Sequence, residues 1–116
     1  MNDIDIPILK KSYELYKQLH ENRRLVPKSD RFSIYERSEN LIIDILELLL
    51  EAGYTKSEGK VSLLDRASVK LNTLRFFIRL MKETRTLDVK KYTALQAVID
   101  EIGRMLGGWI RSSAAR

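Results

Sequence analysis

Basic side chains at helical spacing are the residues of this chain best suited to a chemical task. Arg75, Arg79 and Lys82 follow one another at i, i+4 and i+7, so on a helix they form one row, here called the helix stripe. Lysine and arginine neutralise phosphates without reading a base sequence. Residues 60–91 contain nine basic and three acidic residues, a net charge of +6. This excess predicts a polyanion-binding surface; the alternative is an ordinary solvated face on which opposite charges pair.

Two further groups of basic residues flank predicted turns. One turn joins the first and second predicted helices, and the other joins the third and fourth. In an antiparallel bundle these two turns lie at the same end, so their side chains are expected to converge. The residues are Arg23, Arg24, Lys28 and Arg31 in the first turn, and Arg85, Lys90 and Lys91 in the second.

Two of these groups are our candidates for binding nucleic acid. The helix stripe ranks first, because the third predicted helix contains few acidic residues. Arg23, Arg24 and Lys28 rank second, because ordering a mobile turn on binding costs conformational entropy. Both groups are expected to contact the phosphate backbone rather than base edges.

No set of residues in the sequence suits catalysis or metal binding. His20 is the only histidine, and a single histidine in a basic segment is usually a packing or surface residue. The acidic residues of the second predicted helix lie on one stripe, without the inward-facing Glu-x-x-His pattern of di-iron bundles. No glycine-rich phosphate loop, nucleophile elbow or zinc spacing occurs. We predict that the protein is not an enzyme and uses no catalytic residue, metal or cofactor.

The composition favours the cytoplasm and argues against a membrane location. The chain has no cysteine, which excludes disulfides and thiolate metal sites. The longest apolar-rich run, Leu41 to Leu50, contains Asp44 and Glu47 and is too short to span a bilayer. The first residues lack the pattern of a secretory signal.

The pattern of breakers and caps predicts four helices in a single domain, residues 1–116. The second helix has a candidate N-cap in Asp30 or Ser33 and a candidate C-cap in Gly53. The fourth has Thr86 or Asp88 as its N-cap. The stretch GYTKSEGK is predicted as the longest loop. With short connections, the helices form an all-α, antiparallel up-down four-helix bundle. Their predicted bounds are about 7–24, 33–52, 61–84 and 88–111.

Apolar residues of the last two helices recur at alternating spacings of three and four, which predicts a shallow-angle packing seam. The seam of the fourth helix ends at Trp109, which we expect to be buried. The third helix has a second apolar strip that points away from its seam. A strip of this kind suggests burial against another copy of the chain, although scattered surface hydrophobes would explain it too. The predicted interface residues are Val69, Phe76 and Leu80.

Several segments resemble one known family. They are VPKSDRF at 26–32, ERSENLIIDILELLLEAGYT at 36–55, LRFFIRL at 74–80 and, most specifically, DEIGRMLGGWIRS at 100–112. Together they resemble the accessory variability determinant (Avd) proteins of diversity-generating retroelements. Those proteins belong to a wider group of four-helix bundles that includes proteins encoded in intervening sequences of ribosomal RNA.

The resemblance implies a function that residue spacing cannot supply. Avd proteins are basic, barrel-shaped homopentamers without catalytic activity. They bind the retroelement reverse transcriptase and nucleic acid, namely template RNA and cDNA, and so support mutagenic retrohoming. Two alternatives stay open: an orphan bundle of the wider group without a reverse transcriptase partner, and a helical scaffold that binds protein only.

Overall fold

The computed structural model describes residues 6–115, so the ends of the predicted domain, residues 1–5 and 116, lie outside the described residues. Within this range the chain consists of helices and short connections, without a strand. The helices are α1 (Ile6–Asn22), a short α2 (Lys28–Arg31), α3 (Ile34–Tyr54), α4 (Ser57–Glu83) and α5 (Val89–Ala114), and a 3-10 turn (Arg23–Leu25) follows α1.

The four long helices form a closed ring around one core. Helix α3 packs against α1 and α4, and α5 packs against α4 and α1. Contacts between the last two helices show that they are antiparallel, because Arg75 pairs with Asp100 whereas Lys82 meets Tyr92. The bundle measures 46 × 21 × 19 Å. The predicted all-α helical bundle is therefore confirmed, and its assembly into a barrel-shaped oligomer stays a prediction.

The core is built from the predicted seams. Every seam residue of α4 is buried, and so are those of α5 except Tyr92, which is half-buried. Trp109 is 9% exposed, so its predicted burial is confirmed. The α4 seam is Leu64, Ala67, Leu71, Leu74, Ile78 and Met81, and the buried α5 seam is Leu95, Ile99, Ile102, Leu106 and Trp109.

The longest predicted loop is mostly helical, which corrects the predicted start of the third helix at about residue 61. Helix α3 continues to Tyr54 and α4 begins at Ser57, so only two residues connect them. Gly53 is buried inside α3 and has no positive φ, so it is not the predicted C-cap. At Gly59 an added Cβ would lie 3.0 Å from Thr55 Cγ2, so this glycine allows the first turn of α4 to approach the connection closely. The glycines of this segment therefore lie within helices and do not mark a loop.

The other boundaries differ less from the predictions. Helix α1 ends at Asn22, and the predicted helical residues Arg23 and Arg24 form the 3-10 turn. Ser33 precedes α3 at the N-cap position, but its side chain makes no capping hydrogen bond. Asp88 caps α5 as predicted, because its carboxylate accepts a hydrogen bond from the backbone N–H of Lys91 at 2.7 Å. This hydrogen bond lowers the pKa of Asp88.

Candidate nucleic-acid interface

The two basic turns meet at one end of the bundle. Thr86, between α4 and α5, donates a hydrogen bond from Oγ1 to Oδ2 of Asp30, between α1 and α3, at 3.4 Å. This contact confirms that the antiparallel fold brings the two turns together. The surface that results, here called the basic end, contains Arg23, Arg24, Lys28, Arg31, Arg85, Lys90 and Lys91.

Four cations of the basic end are exposed and available to a ligand. Arg24, Lys28, Arg85 and Lys90 are all solvent-exposed. None of the four forms an ion pair with another residue in the range 6–115. Asp88, two residues before Lys90, pairs with Lys91 instead, at 3.1 Å. Phosphate groups could therefore approach the four cations without displacing an internal partner.

Arg31 holds the first turn together through hydrogen bonds to backbone carbonyls. Its Nε donates to the carbonyl oxygen of Val26 at 2.9 Å, and its Nη2 donates to that of Arg24 at 2.8 Å. These two bonds satisfy backbone acceptors that no regular helix pairs. They order a turn that the sequence analysis expected to be mobile, so any ligand at Arg24 and Lys28 would remove less conformational entropy.

Arg23 lies beside a buried carboxylate. The Glu39 side chain is 6% exposed, and its oxygens lie 3.9 Å from Nη1 of Arg23 and 3.2 Å from Nδ1 of His20. A buried carboxylate needs such partners to offset its desolvation. His20 thus has a structural neighbour, and its ring also stacks on Tyr16 with centroids 5.7 Å apart. Sequence spacing did not reveal this cluster, because its members come from different helices.

Tyr35 is the buried neighbour of that cluster. Its hydroxyl donates a hydrogen bond to the carbonyl oxygen of Leu19, which joins α3 to the end of α1. Burial raises the pKa of Tyr35, and the negative charge of Glu39 raises it further. The tyrosine therefore stays neutral and acts as a structural hydrogen-bond donor beneath the basic end.

Arg85 has a left-handed backbone conformation that glycine usually occupies. Its φ is 64°, and among residues 6–115 it is the only non-glycine residue with a positive φ. Its N–H donates to the carbonyl of Lys82, and the N–H of Thr86 donates to that of Met81. This pair of bonds is the Schellman motif, which terminates α4. The turn thus presents a long cationic side chain at a position where a side chain is unfavourable.

The helix stripe has more partners than the sequence suggested. Arg75 Nη2 lies 3.2 Å from Oδ1 of Asp100 on α5, and its Nη1 donates to Asn72 Oδ1 at 2.7 Å. Arg79 pairs with Glu83 on its own helix, at 3.4 Å. The prediction counted acids within α4 and missed Asp100, because that residue is distant in sequence.

Lys82 completes the stripe close to the basic end. Its Nζ lies 4.5 Å from the centre of the Tyr92 ring, a cation–π contact with the first part of α5. The stripe is therefore a row of paired cations that leads away from the basic end along α4. The side chains of the stripe have partners, whereas four exposed side chains of the basic end have no ionic partner among residues 6–115.

The predicted interface residues lie on the outer face of α4. Val69 and Phe76 are 65% and 67% exposed, and Leu80 is 39% exposed. Phe76 also lines two clefts, of about 390 and 280 Å3, together with Arg79. The predicted interface and the helix stripe therefore adjoin each other, although the sequence analysis treated them separately.

Gly103 and Gly107 serve different purposes on α5. An added Cβ at Gly103 would lie 3.2 Å from Nη2 of Arg75 and 3.7 Å from Cδ2 of Leu71, so this glycine allows α4 to approach α5 closely. At Gly107 the nearest atom belongs to Arg111 of the same helix. The shared face of the two glycines is thus not one continuous helix–helix contact.

Two kinds of site are absent from the part of the chain that the structure describes. No three His, Asp or Glu side chains of residues 6–115 converge in a way that could hold a metal ion. Within the same range, no helix has the length and apolar character needed to cross a bilayer.

The fold and its charged surface define a class of protein, the small helical bundle with a basic end. The sequence profile of a family described as bAvd-like matches residues 6–113. This match covers nearly the whole chain, so the protein belongs to the bAvd-like family, and the resemblance to Avd proteins is confirmed. No curated protein matches the sequence. Family membership makes the chain an accessory protein of the retroelement type.

Proposed function

We propose that this protein binds a retroelement reverse transcriptase together with nucleic acid, and that it supports mutagenic retrohoming without performing catalysis itself. The retroelement part of the proposal rests on the family match. The nucleic-acid part rests on one observation: two turns that are distant in sequence join at Thr86 and Asp30 and present four exposed cations without ion pairs in the described range.

The physical basis of binding is the release of counterions. Each phosphate that a lysine or arginine neutralises frees a condensed cation, so affinity falls as salt rises, with a log–log slope of roughly −0.7 per contact on a single strand. Arg24, Lys28, Arg85 and Lys90 form the first contacts. Phosphates further along the strand then reach Lys82 and Arg79, which continue from this end along α4.

Assembly would strengthen such contacts. The exposed strip of Val69, Phe76 and Leu80 is the surface that a second copy would cover. A closed ring, for which family resemblance suggests five copies, would repeat the basic end around its axis. Several weak contacts on one strand then combine by avidity.

Binding to RNA at several salt concentrations tests the nucleic-acid proposal. Fluorescence anisotropy would compare the wild type with the double variant Arg24→Gln/Lys90→Gln. We expect the variant to bind all sequences more weakly and to have a shallower salt dependence, because two phosphate contacts are lost. The matched control is Lys10→Gln/Lys56→Gln, which removes the same charge from exposed positions at the opposite end of the bundle. Equal losses in both double variants would contradict the assignment to the basic end.

Co-purification tests the protein partner. The reverse transcriptase encoded with this chain should be retained by the wild-type protein, and nuclease treatment should separate retention through RNA from direct contact. No retention of the polymerase, with salt-sensitive RNA binding intact, would favour a bundle of the wider group without this partner. Retention without any RNA binding would favour a scaffold that binds protein only.

A further inference from the structure

A cleft at the basic end combines arginines with an exposed aromatic ring. Its volume is about 690 Å3, within the range of roughly 300–1,000 Å3 that small-ligand sites occupy. The cleft is lined by His20, Glu21, Arg23, Arg24, Arg31 and Phe32. Five of these six residues are basic or aromatic, which distinguishes this cleft from a general basic surface.

Phe32 gives this cleft an exposed aromatic ring, which a surface that only attracts negative charge would not need. Its side chain is 72% exposed, the highest value among the large exposed hydrophobic residues of the described chain. The guanidinium carbon of Arg23 lies 5.2 Å from the ring centre. Glu39 pairs with Arg23 and so restrains the guanidinium that lies beside the Phe32 ring.

The charges of the cleft favour an anionic ligand. Among the described residues that line it, Glu21 is the only acid, whereas three are arginines. Arg31 donates hydrogen bonds to two backbone carbonyls, and Arg23 lies beside Glu39. Arg24 is exposed, and its side chain forms neither an ion pair nor a hydrogen bond within the range 6–115, so its guanidinium is the one of the three that is available for a phosphate.

We infer that this cleft holds one unpaired nucleotide of a single strand, with the base stacked on Phe32 and a neighbouring phosphate on Arg24. Stacking on an aromatic ring is tolerant of sequence, because every base has a π-face. It needs a base that has left its duplex stack, so the cleft would favour single strands over duplexes. This inference rests on the proposed function and adds the form of nucleic acid that the basic end selects.

Replacement of the aromatic ring tests the inference. Binding would be measured with single-stranded uridine and thymidine oligomers of about 12 nucleotides and with a duplex of the same length. We expect Phe32→Leu to weaken single-strand binding by roughly tenfold, within the range of about 5- to 150-fold that corresponds to loss of one stacked base. Duplex binding should not change. A 2-aminopurine base in the strand should lose fluorescence on binding the wild type and keep it with Phe32→Leu.

A matched control variant at Tyr13 shows whether a loss of binding is specific to Phe32. Tyr13 is 59% exposed and lies under Lys17, whose Nζ is 5.5 Å from the ring centre, so it is another exposed aromatic residue beside a cation. Tyr13→Leu should leave single-strand binding unchanged. Circular dichroism should show that both variants keep the wild-type melting temperature, because neither ring belongs to the core.

The possible outcomes separate this inference from the proposed function. Unchanged single-strand affinity in Phe32→Leu overturns the stacking site, while salt-sensitive binding by the wild type would still support the proposed function. An equal loss on duplex and single strand also overturns it, as does a loss confined to RNA or to DNA, because both strands offer bases. Absence of any nucleic-acid binding by the wild type would remove the proposed function and the inference together.

Discussion

Arg75 on α4 and Asp100 on α5 form an ion pair, with 3.2 Å between Nη2 and Oδ1. Both side chains are partly exposed, at 37% and 55%, so the pair contributes little to stability, on the order of 0–1 kcal/mol. Its importance lies in its position, because Asp100 pairs with a cation of the helix stripe that would otherwise be available to phosphates.

Release of this arginine should strengthen nucleic-acid binding. We expect Asp100→Asn to raise affinity for RNA and to make the salt dependence steeper, because it removes a negative charge and frees Arg75. The matched control is Glu101→Gln, which removes one acid from the same helix but frees Lys11, its partner at 3.2 Å. Anisotropy titrations at several salt concentrations would measure both variants. Equal gains in the two would mean that only net charge matters and that the helix stripe is not a contact.

Replacement of Arg85 by glycine should have opposite effects on stability and binding. The left-handed conformation costs an L-residue about 1–2 kcal/mol, and the greater freedom of glycine in the unfolded chain offsets about 0.5–1 kcal/mol of the gain. Arg85→Gly should therefore raise the free energy of unfolding by up to about 1.5 kcal/mol. RNA affinity should fall, because an exposed cation is lost.

The comparison variant for this position is Arg85→Asn, which tolerates the left-handed conformation but also lacks the charge. Denaturant unfolding and RNA titration would be measured on the same samples. If Arg85→Gly bound RNA as tightly as the wild type, Arg85 would have no role at the proposed interface. Lower stability in that variant would contradict the assignment of strain to its backbone.

Trp109 should be one of the largest single contributors to stability. It ends the α5 seam at 9% exposure, and large-to-small replacement of a buried aromatic costs about 3–5 kcal/mol. We expect Trp109→Ala to lower the free energy of unfolding by about this amount, which denaturant melts would measure. A melting temperature equal to that of the wild type would show that this residue is not an essential part of the core.

The outer face of α4 should mediate assembly. A charge at Phe76, which is 67% exposed in the protomer, would be buried in an interface between copies. We expect Phe76→Asp to lower the mass measured by light scattering while helix content is retained. Val89→Asp is the matched control, because Val89 is similarly exposed, at 68%, but lies at the start of α5. A wild-type monomer at micromolar concentration, or an intact oligomer in Phe76→Asp, would refute this placement.

The sequence alone was sufficient for the bundle and its core. Alternating spacings of three and four place each seam on one side of a helix, and burial of that side is the main source of stability in such a fold. The N-cap at Asp88 could also be predicted from the sequence, because a cap depends on a few adjacent residues. The loop predicted around Gly59 was wrong, since a glycine tolerates both a turn and a close helix contact.

Only the tertiary structure decided which charged side chains are available. Arg75 meets Asp100, Glu39 meets His20 and Arg23, and Asp30 meets Thr86, in each case between different segments of the chain. Such contacts depend on how far each helix is shifted and rotated relative to its neighbours. Spacing along one helix contains no information about these two quantities, because they are set when the apolar faces pack against one another.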